Sequence, residues 1–567
     1  MPEAYDLVIR GGTLVDGTGA PATPGDVGIR DGRIAALGRV DGSARETLDA
    51  TDRVVAPGFV DIHTHYDAQL FWDRMLTISP WHGVTSVVMG NCGFGIAPTR
   101  PEHRELILKT LENVEGMSFD ALTAGVGADW PFESFPEYLD AVESRGTAIN
   151  VAALVGHTPV RLYVMGEEST EREATPDEIA EMEHIVEQAL RAGAIGFATS
   201  KSPTHVGYAG RPVPSRAASL EEIERLASTL GRAGTGLMQA TIGPGFFLDQ
   251  FEGIARSTGR PISWTALLAG AMGPDGHRGV LERSQKLQQE GVEVVPQVAC
   301  RPIMFEYQLK APFPFESSAL FKPVSEADLE GKKRIYSDPE FRKAFAERTS
   351  QRGAFPERAA RKGIWERTDF SSVPTEPALE GRNVAEVAAQ RGVDPVDLVL
   401  DLSLASNLEA RFRLAALNTE EDIIAELLQH PAAVLGLSDA GAHASQLCDA
   451  CFSTHLLSHW VRDEGVLSLE EGVRQLTSRP AEVFGIQGRG RLAPGYAADL
   501  VTFDPDAIGC SPLRRVHDLP GGADRLISEA SGIDSVIVNG AIIRRDGRDA
   551  VDPEGPLPGA VLRGGRA

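Results

Sequence analysis

Two histidines lie two positions apart where an apolar run, residues 54–62, gives way to the sequence His63-Thr-His65. If the run is a strand, residues i and i+2 point to the same side, so both imidazoles face one site. Neutral imidazole is a common ligand for zinc and related divalent ions, and two imidazoles on one rigid strand lose little entropy on binding. The pair therefore predicts a metal site.

A carboxylate suited to the same chemistry lies far along the chain. Asp439 follows the apolar run 433–437, and His443 comes four positions later. A carboxylate beside a metal-activated water can take its proton and later pass it to a leaving nitrogen. We expect Asp439 to be a metal ligand and a catalytic base. The alternative is that it caps the helix that follows.

A thiol stands in a glycine-rich loop behind a second strand-like run. Cys92 follows residues 84–89 within Gly90-Asn-Cys-Gly. A thiolate is a strong zinc ligand, so Cys92 is a further candidate ligand. The alternative is a buried, unreactive cysteine.

Short runs rich in β-branched residues alternate with helical patterns, which predicts parallel strands joined by helices. The candidate strands are 54–62, 84–89, 149–155, 194–198, 235–240, 261–265, 292–298 and 433–437. Eight such units predict a (β/α)8 barrel of the TIM type. In a closed barrel the first and last strands are neighbours, which would bring Asp439 to the two histidines.

The rest of the chain predicts two additions to this barrel. Strand-and-turn patterns near both termini predict a small β-sandwich from residues 1–55 and 485–567, leaving 56–484 for the barrel. The seventh and eighth strands are separated by far more than one crossover requires. Residues 305–385, rich in aromatics, prolines and charge, are interpreted as a lid-like helical insertion, the alternative being a surface excursion without function.

Composition excludes some classes of partner. The 567 residues include 80 acidic and 55 basic side chains, a net charge of −25 that repels nucleic acid and anionic membranes. The start lacks a signal-peptide pattern, and no apolar run approaches the ~20 residues that span a bilayer. Five cysteines form neither an even nor a dense set. We expect a cytoplasmic protein that binds a small molecule, and the sequence does not fix whether it forms a homo-oligomer.

Taken together, these segments resemble the N-acyl-D-amino-acid deacylase (D-aminoacylase) branch of the amidohydrolase superfamily. The resemblance rests on the N-terminal strands and on Pro57-Gly-Phe-Val-Asp-Ile-His-Thr-His, Gly90-Asn-Cys-Gly, Val155-Gly-His-Thr-Pro-Val-Arg, Ser438-Asp and Gly490-Arg-Leu-Ala-Pro-Gly-Tyr-Ala-Ala-Asp-Leu. It implies a barrel with a β-sandwich. It also implies that His63 and His65 are the family's metal histidines, Cys92 its metal-bridging cysteine and Asp439 its catalytic, metal-binding aspartate.

The sequence departs from this family at two positions. The family places one more metal histidine at the end of the fifth strand and another at the end of the sixth, where this chain has Gln239 or Thr241 and Trp264. Cys92 alone could not complete the coordination of a second ion. We therefore expect a single ion, Zn²⁺, bound by the two histidines and the aspartate.

Other polar or aromatic side chains follow predicted strands and are candidates to hold the substrate or to support a metal ligand. They are His157, Lys201, His205, Gln239, Trp264, Gln297, Arg301 and His443. Arg301 could hold a substrate carboxylate through bidentate hydrogen bonds. Cys448 and Cys451 have the spacing of a redox or zinc pair, but no second pair accompanies them, so we interpret them as structural.

These observations predict a metal-dependent hydrolase that cleaves the amide C–N bond of an N-acyl amino acid, with a D-amino acid favoured by the resemblance. One alternative is ring opening of a cyclic amide or imide, as in hydantoinases. Another is a non-hydrolytic lyase or isomerase, suggested by the missing histidines. A metal-free pseudoenzyme that acts as a binding protein is the alternative of a different class.

Overall fold

The N-terminal strands form part of a sheet in the computed structural model, which describes residues 5–273, 275–316, 318–350 and 360–567. They are β1 (Tyr5–Leu14), β2 (Thr23–Arg30), β3 (Arg33–Gly38), β4 (Ala44–Asp49) and β5 (Val54–Pro57). The central strand β1 pairs with β2 in antiparallel fashion and with β4 and β5 in parallel.

Seven parallel strands follow. They are β6 (Phe59–Asp61), β7 (Val84–Met89), β8 (Asn150–Gly156), β9 (Gly196–Ser200), β10 (Leu237–Thr241), β11 (Ile262–Thr265) and β12 (Val294–Val298). The helices between them are α1 (Arg104–Glu115), α2 (Phe119–Val126), α3 (Phe135–Arg145), α4 (His157–Met165), α5 (Pro176–Ala192), α6 (Leu220–Ala233), α7 (Leu248–Thr258) and α8 (Gly276–Gln289). Every residue of β7 and β8 is buried, as expected for parallel strands covered on both faces.

The predicted first barrel strand, 54–62, is wrong as one element, because it divides at Gly58. The residues before Gly58 belong to the terminal sheet and those after it to the barrel. A Cβ on Gly58 would lie 2.2 Å from side-chain atoms of Thr85. The chain therefore passes between the two sheets at a residue that has no side chain.

An insertion follows β12. It contains β13 (Ile303–Gln308), α9 (Lys322–Glu326), α10 (Leu329–Ser337), α11 (Pro339–Ser350), β14 (Thr368–Ser372), α12 (Val384–Arg391), α13 (Pro395–Ala405) and β15 (Arg411–Leu417). The three strands form an antiparallel sheet in the order β13-β15-β14.

The predicted helical lid at 305–385 is therefore incomplete: the insertion includes a sheet and continues to Leu417. Aromatic residues such as Phe315, Phe321 and Phe345 pack on one another in a separate hydrophobic core. Residues 351–359 of the predicted lid lie outside the described residues.

The barrel sheet ends with one more strand. Helix α14 (Glu421–Gln429) leads to β16 (Val434–Leu435), which pairs in parallel with β12. An isolated parallel bridge between Thr64 and Ala440 joins the two edges of this curled eight-stranded sheet, and His65 N donates to Ala440 O over 2.7 Å. The arrangement is that of a TIM-type barrel, with the first and last strands adjacent as predicted.

The C-terminal part returns to the first sheet. After α15 (Phe452–His455), a π-helical segment (Leu456–Asp463), α16 (Leu469–Leu476) and α17 (Ser478–Val483) come the last strands. These are β17 (Leu500–Phe503), β18 (Gly509–Cys510), β19 (Arg514–Val516), β20 (Arg525–Ile527), β21 (Ala530–Ser531), β22 (Ile533–Val538), β23 (Ala541–Arg545) and β24 (Arg548–Asp549).

Strand β17 pairs with β5, so one nine-stranded sheet combines strands from both parts of the chain. That this sheet makes a separate β-sandwich domain stays a prediction. Within the described residues, no helix is both long and apolar enough to cross a membrane.

Candidate active site

Three potential metal ligands meet at the carboxyl ends of β6 and β7. One donor atom each from His63, His65 and Cys92 lies within 4.8 Å of the other two, and all three residues are buried. Cys92 Sγ lies 3.4 Å from His63 Nε2. The two histidines alternate with Thr64 along the chain, so their side chains share one face, as the sequence predicted.

Asp439 reaches the same point from the loop after β16. Its Oδ1 lies 3.2 Å from His63 Nε2 and 3.6 Å from His65 Nε2. Asp439 and Cys92 both have left-handed backbone conformations, with φ values of 45° and 56°. Such conformations are costly for residues other than glycine and cluster at functional sites, where surrounding structure holds them.

The electrostatics of this cluster favour charged ligand atoms. Burial would raise the pKa of Cys92, but the neighbouring His63 and the hydrogen bonds from both histidines lower it to about 6. Burial likewise opposes ionisation of Asp439, yet the hydrogen bond from His65 and the charges of His63, His65 and His443 lower its pKa below the ordinary value. Both side chains are therefore anionic at neutral pH, the state in which they bind cations.

Gln297, at the end of β12, fixes the orientation of one imidazole. Its Oε1 lies 2.8 Å from His63 Nδ1, and its Nε2 donates to Ser263 Oγ over 3.0 Å. Because the amide nitrogen is engaged by Ser263, the amide oxygen faces His63 and accepts the Nδ1 proton. Nε2 is therefore the His63 nitrogen that faces Cys92 Sγ and Asp439 Oδ1.

Gln297→Leu is expected to weaken zinc binding by roughly 10- to 100-fold, the usual effect of removing the group that orients a ligating histidine. A competitive chelator titration followed by elemental analysis measures this affinity. Gln390→Leu, on the outer surface of α12, is the control and should bind zinc as the wild type does. Equal affinities for wild type and Gln297→Leu would show that His63 needs no such support.

A buried carboxylate beneath the cluster was missed in the sequence. Asp61 accepts hydrogen bonds from Ser438 Oγ over 2.6 Å and from His63 N over 3.2 Å. Ser438 Oγ also lies 3.0 Å from His63 O, so β6 is tied to the residue before Asp439. Burial raises the pKa of Asp61 to about 7. Asp61 precedes His63 by two positions, so the period-2 argument used for the histidines could have found it.

The positions of the two missing histidines are occupied by side chains that bond to one another. Gln239 Oε1 accepts from Cys92 N over 2.7 Å, and Gln239 Nε2 lies 3.4 Å from Thr265 Oγ1. Thr241 Oγ1 lies 3.1 Å from Thr265 Oγ1. Gln239 therefore supports the backbone of Cys92 from the fifth strand, as expected for a residue near the site.

The prediction that Trp264 occupies the sixth-strand histidine position is wrong by one residue. Its neighbours Ser263 and Thr265 face the barrel interior, whereas the Trp264 ring packs edge-on against Phe247 at 5.4 Å and contacts Phe251 of α7. A shift of one residue along a strand moves a side chain to the opposite face. Trp264 therefore belongs to the packing between strand and helix, whereas Ser263 and Thr265 contact Gln297 and Gln239 inside the barrel.

Comparison with known proteins identifies the family of this chain. The model of the amidohydrolase family matches residues 46–304 and 344–544. The chain belongs to the amidohydrolase family. It is 30% identical to the D-aminoacylase of Alcaligenes xylosoxydans xylosoxydans over 548 residues, covering 95% of this chain and 94% of that protein.

Two solved structures extend the comparison. A D-aminoacylase with a binuclear metal centre gives a TM-score of 0.66 at 27% identity and covers 98% of this chain and 99% of its own. The N-acyl-D-glutamate deacylase of Bordetella bronchiseptica, solved with zinc and a phosphonate inhibitor, gives 0.65 at 27% identity, covering 99% and 100%. The family predicted from the sequence is confirmed. The protein is thus a metal-dependent amidohydrolase that acts on amide C–N bonds.

Two further predicted histidines lie beside the cluster in this amidohydrolase. His205 Nδ1 lies 2.7 Å from Ser200 Oγ, and its ring centre is 5.0 Å from that of Phe94, which in turn contacts His65. Burial and the neighbouring histidines lower the pKa of His205 to about 3, so its imidazole is neutral. The ring of His443 stands 6.4 Å from Phe305 of β13, where the insertion meets the loop that carries Asp439.

Three other predicted site residues are engaged elsewhere. His157 is fully buried, with Nδ1 2.8 Å from Thr199 Oγ1 and Nε2 2.8 Å from Glu222 Oε1. Lys201 Nζ donates to the backbone oxygens of residues 216 and 218. Arg301 Nε lies 3.1 Å from Asp449 Oδ1. Each of the three side chains therefore has a protein partner, and their predicted roles in holding substrate or supporting a metal ligand stay predictions.

Proposed function

We propose that this amidohydrolase is an N-acyl-D-amino-acid deacylase that uses one zinc ion. The observation that carries the proposal is the meeting of the buried His63, His65 and Cys92 with the partly exposed Asp439. The relatives named D-aminoacylase and N-acyl-D-glutamate deacylase support this substrate class.

The chemistry of the donor set fits a single zinc ion. Two imidazoles, one thiolate and one carboxylate are ligand types that zinc accepts. The imidazoles and the thiol are grouped, and the carboxylate lies beside both imidazoles. When bound, the ion would polarise the substrate carbonyl and lower the pKa of a water molecule. We propose that His63, His65 and Asp439 hold it, with Cys92 as the further ligand.

The side chains of the chain then have distinct roles. Asp439, anionic and at the mouth, accepts a proton from water and returns it to the leaving nitrogen. Gln297 holds the Nδ1 proton of His63, which keeps Nε2 free as a donor atom. Gln239 holds the backbone of Cys92, so the thiolate keeps its position throughout the reaction.

One ion per chain is the expected metal content, because Gln239 and Thr265 replace imidazoles and their side chains already bond to each other. The double variant Gln239→His, Thr265→His should increase the zinc content of the purified protein from one to two equivalents. Elemental analysis after dialysis measures both proteins. Ser257→His, on the outer helix α7, is the control and should leave the content unchanged. Two ions in the wild type would overturn the single-ion proposal.

The activity test is a screen of matched N-acyl-D- and N-acyl-L-amino acids and of cyclic imides, run in ¹⁸O-labelled water. Deacylation predicts that one labelled oxygen enters the released carboxylate and that D-substrates are preferred. Label in a ring-opened product would favour the hydantoinase-like alternative. Turnover without label would show a lyase or isomerase, and absence of both metal and turnover would leave the pseudoenzyme interpretation.

A further inference from the structure

A pair of thiols separate from the active site lies where helix α15 packs against strand β18. Cys451 is the residue before α15 and His455 is its last residue, four positions apart, so both lie on one side of the helix. Cys510 is the second residue of β18 and is partly exposed, whereas Cys451 is completely buried. The Cys510 thiol is within hydrogen-bonding reach of both Cys451 and His455.

A positive charge stands beside this thiol pair. Arg301 donates a hydrogen bond from its guanidinium to Cys451 Sγ, and its Nε lies 3.1 Å from Asp449 Oδ1. A guanidinium beside the two thiols favours the loss of one proton from the pair and repels a metal cation. Among the described residues, the only group of three or more closely placed metal-ligand side chains is that of His63, His65 and Cys92. The thiols are therefore placed for redox chemistry rather than for zinc.

We propose that Cys510 and Cys451 form an oxidisable dithiol, in which Cys510 is the peroxide-reactive thiolate and Cys451 the thiol that resolves it to a disulfide. The assignment of roles follows from exposure, because Cys510 is a partly exposed residue and Cys451 is completely buried. Cys448 lies three residues before Cys451, the spacing of many redox pairs. In the fold, however, the thiol within hydrogen-bonding reach of Cys451 is that of Cys510.

The reaction balances with hydrogen peroxide as the oxidant. The Cys510 thiolate attacks one peroxide oxygen, the O–O bond breaks, and hydroxide leaves, so the sulfur becomes a sulfenic acid. The Cys451 sulfur then attacks the Cys510 sulfur, the S–O bond breaks, and water leaves with the Cys451 proton. In total one thiolate and one thiol are oxidised to one disulfide, while one hydrogen peroxide is reduced to one hydroxide and one water.

The acidity of the pair supports these roles. The hydrogen bond from Cys451 has the largest effect, and together with His455 and Arg301 it lowers the pKa of Cys510 to about 4 despite burial. Burial and the same shared proton raise the pKa of Cys451. By contrast, burial raises the pKa of Cys300 to about 12 and that of Cys448 to about 11, so these neighbouring thiols are protonated and poorly nucleophilic.

The test is a titration of the zinc-loaded full chain with hydrogen peroxide, followed by alkylation and non-reducing peptide mapping. The expected product is a Cys451–Cys510 disulfide, leaving three of the five cysteines free to alkylate. In Cys451→Ser the oxidation should stop at a Cys510 sulfenic acid, which dimedone traps. In Cys510→Ser no disulfide should form. Cys448→Ser is the matched control and should give the wild-type product.

Two results would overturn the proposal. One is a Cys448–Cys451 disulfide in the wild type, which would show that Cys451 pairs with its neighbour along the chain rather than with Cys510. The other is a Cys510 that stays reduced at peroxide concentrations that already oxidise Cys300 or Cys448. Because both are read in the wild-type protein, they remain decisive even where a variant fails to fold. Neither result bears on the deacylase proposal, which the substrate screen tests separately.

Discussion

Asp439→Asn is expected to lower kcat by roughly 100- to 10,000-fold, the range that a positioned general acid or base contributes. Asparagine has almost the same shape as aspartate and keeps one oxygen near His63 and His65. It cannot accept a proton from water or return one to the leaving nitrogen. The loss should therefore appear mainly in kcat, measured with the preferred N-acyl-D-amino acid from the substrate screen.

The metal content distinguishes a lost base from a lost ligand. Elemental analysis of Asp439→Asn beside the wild type should show that zinc remains when the ion is supplied in excess, while activity stays low. Asp506→Asn, an exposed carboxylate before β18, is the control and should retain full activity. If Asp439→Asn recovers wild-type kcat once zinc is saturating, Asp439 is a ligand only and the proton must move through another group.

The convergence at the active site was predictable because it depends on two regular features. Alternation along a strand puts His63 and His65 on one face, and closure of a barrel puts its last strand beside its first. Neither argument requires knowledge of which side chains contact one another. The main error was the register of the sixth strand, where nothing in the sequence indicates whether Thr265 or Trp264 faces the interior.

The supporting contacts could not be predicted in the same way. Gln297 and His63 are far apart in the chain, and their pairing depends on the relative heights of β12 and β6 in the barrel. The insertion is a similar case: its aromatic composition predicts a lid over the site, and in the structure Phe315 and Phe345 pack on each other within a separate hydrophobic core. Composition shows that aromatic residues will be buried but not against which partner.

A buried charge network holds His157, one of the predicted site residues. Glu222, in the first turn of α6, accepts from His157 Nε2 and from the Arg161 guanidinium, and all three side chains are fully buried. Arg161 also donates to the backbone oxygen of residue 172 over 2.8 Å. The segment that carries His157 and Arg161 thus ties α4 to α6 on the outside of the barrel and stabilises the fold rather than the substrate.

Glu222→Ala should therefore destabilise the protein by about 3–5 kcal/mol, because it leaves the buried Arg161 charge without a counterion. Glu221→Ala changes the neighbouring, exposed residue of the same helix and should cost little, so the two urea unfolding curves form a matched pair. Burial opposes ionisation of Glu222, yet His157 and Arg161 lower its pKa from 4.5 to about 2. A carboxylate whose pKa is lower in the folded state than in the unfolded chain stabilises the folded state at pH values above its unfolded pKa. This contribution is lost as the pH falls from about 4.5 towards 2. The difference in unfolding free energy between the two variants should narrow over that acidic range. If this difference is absent at neutral pH, or if it does not change with acid, then Glu222 does not neutralise Arg161.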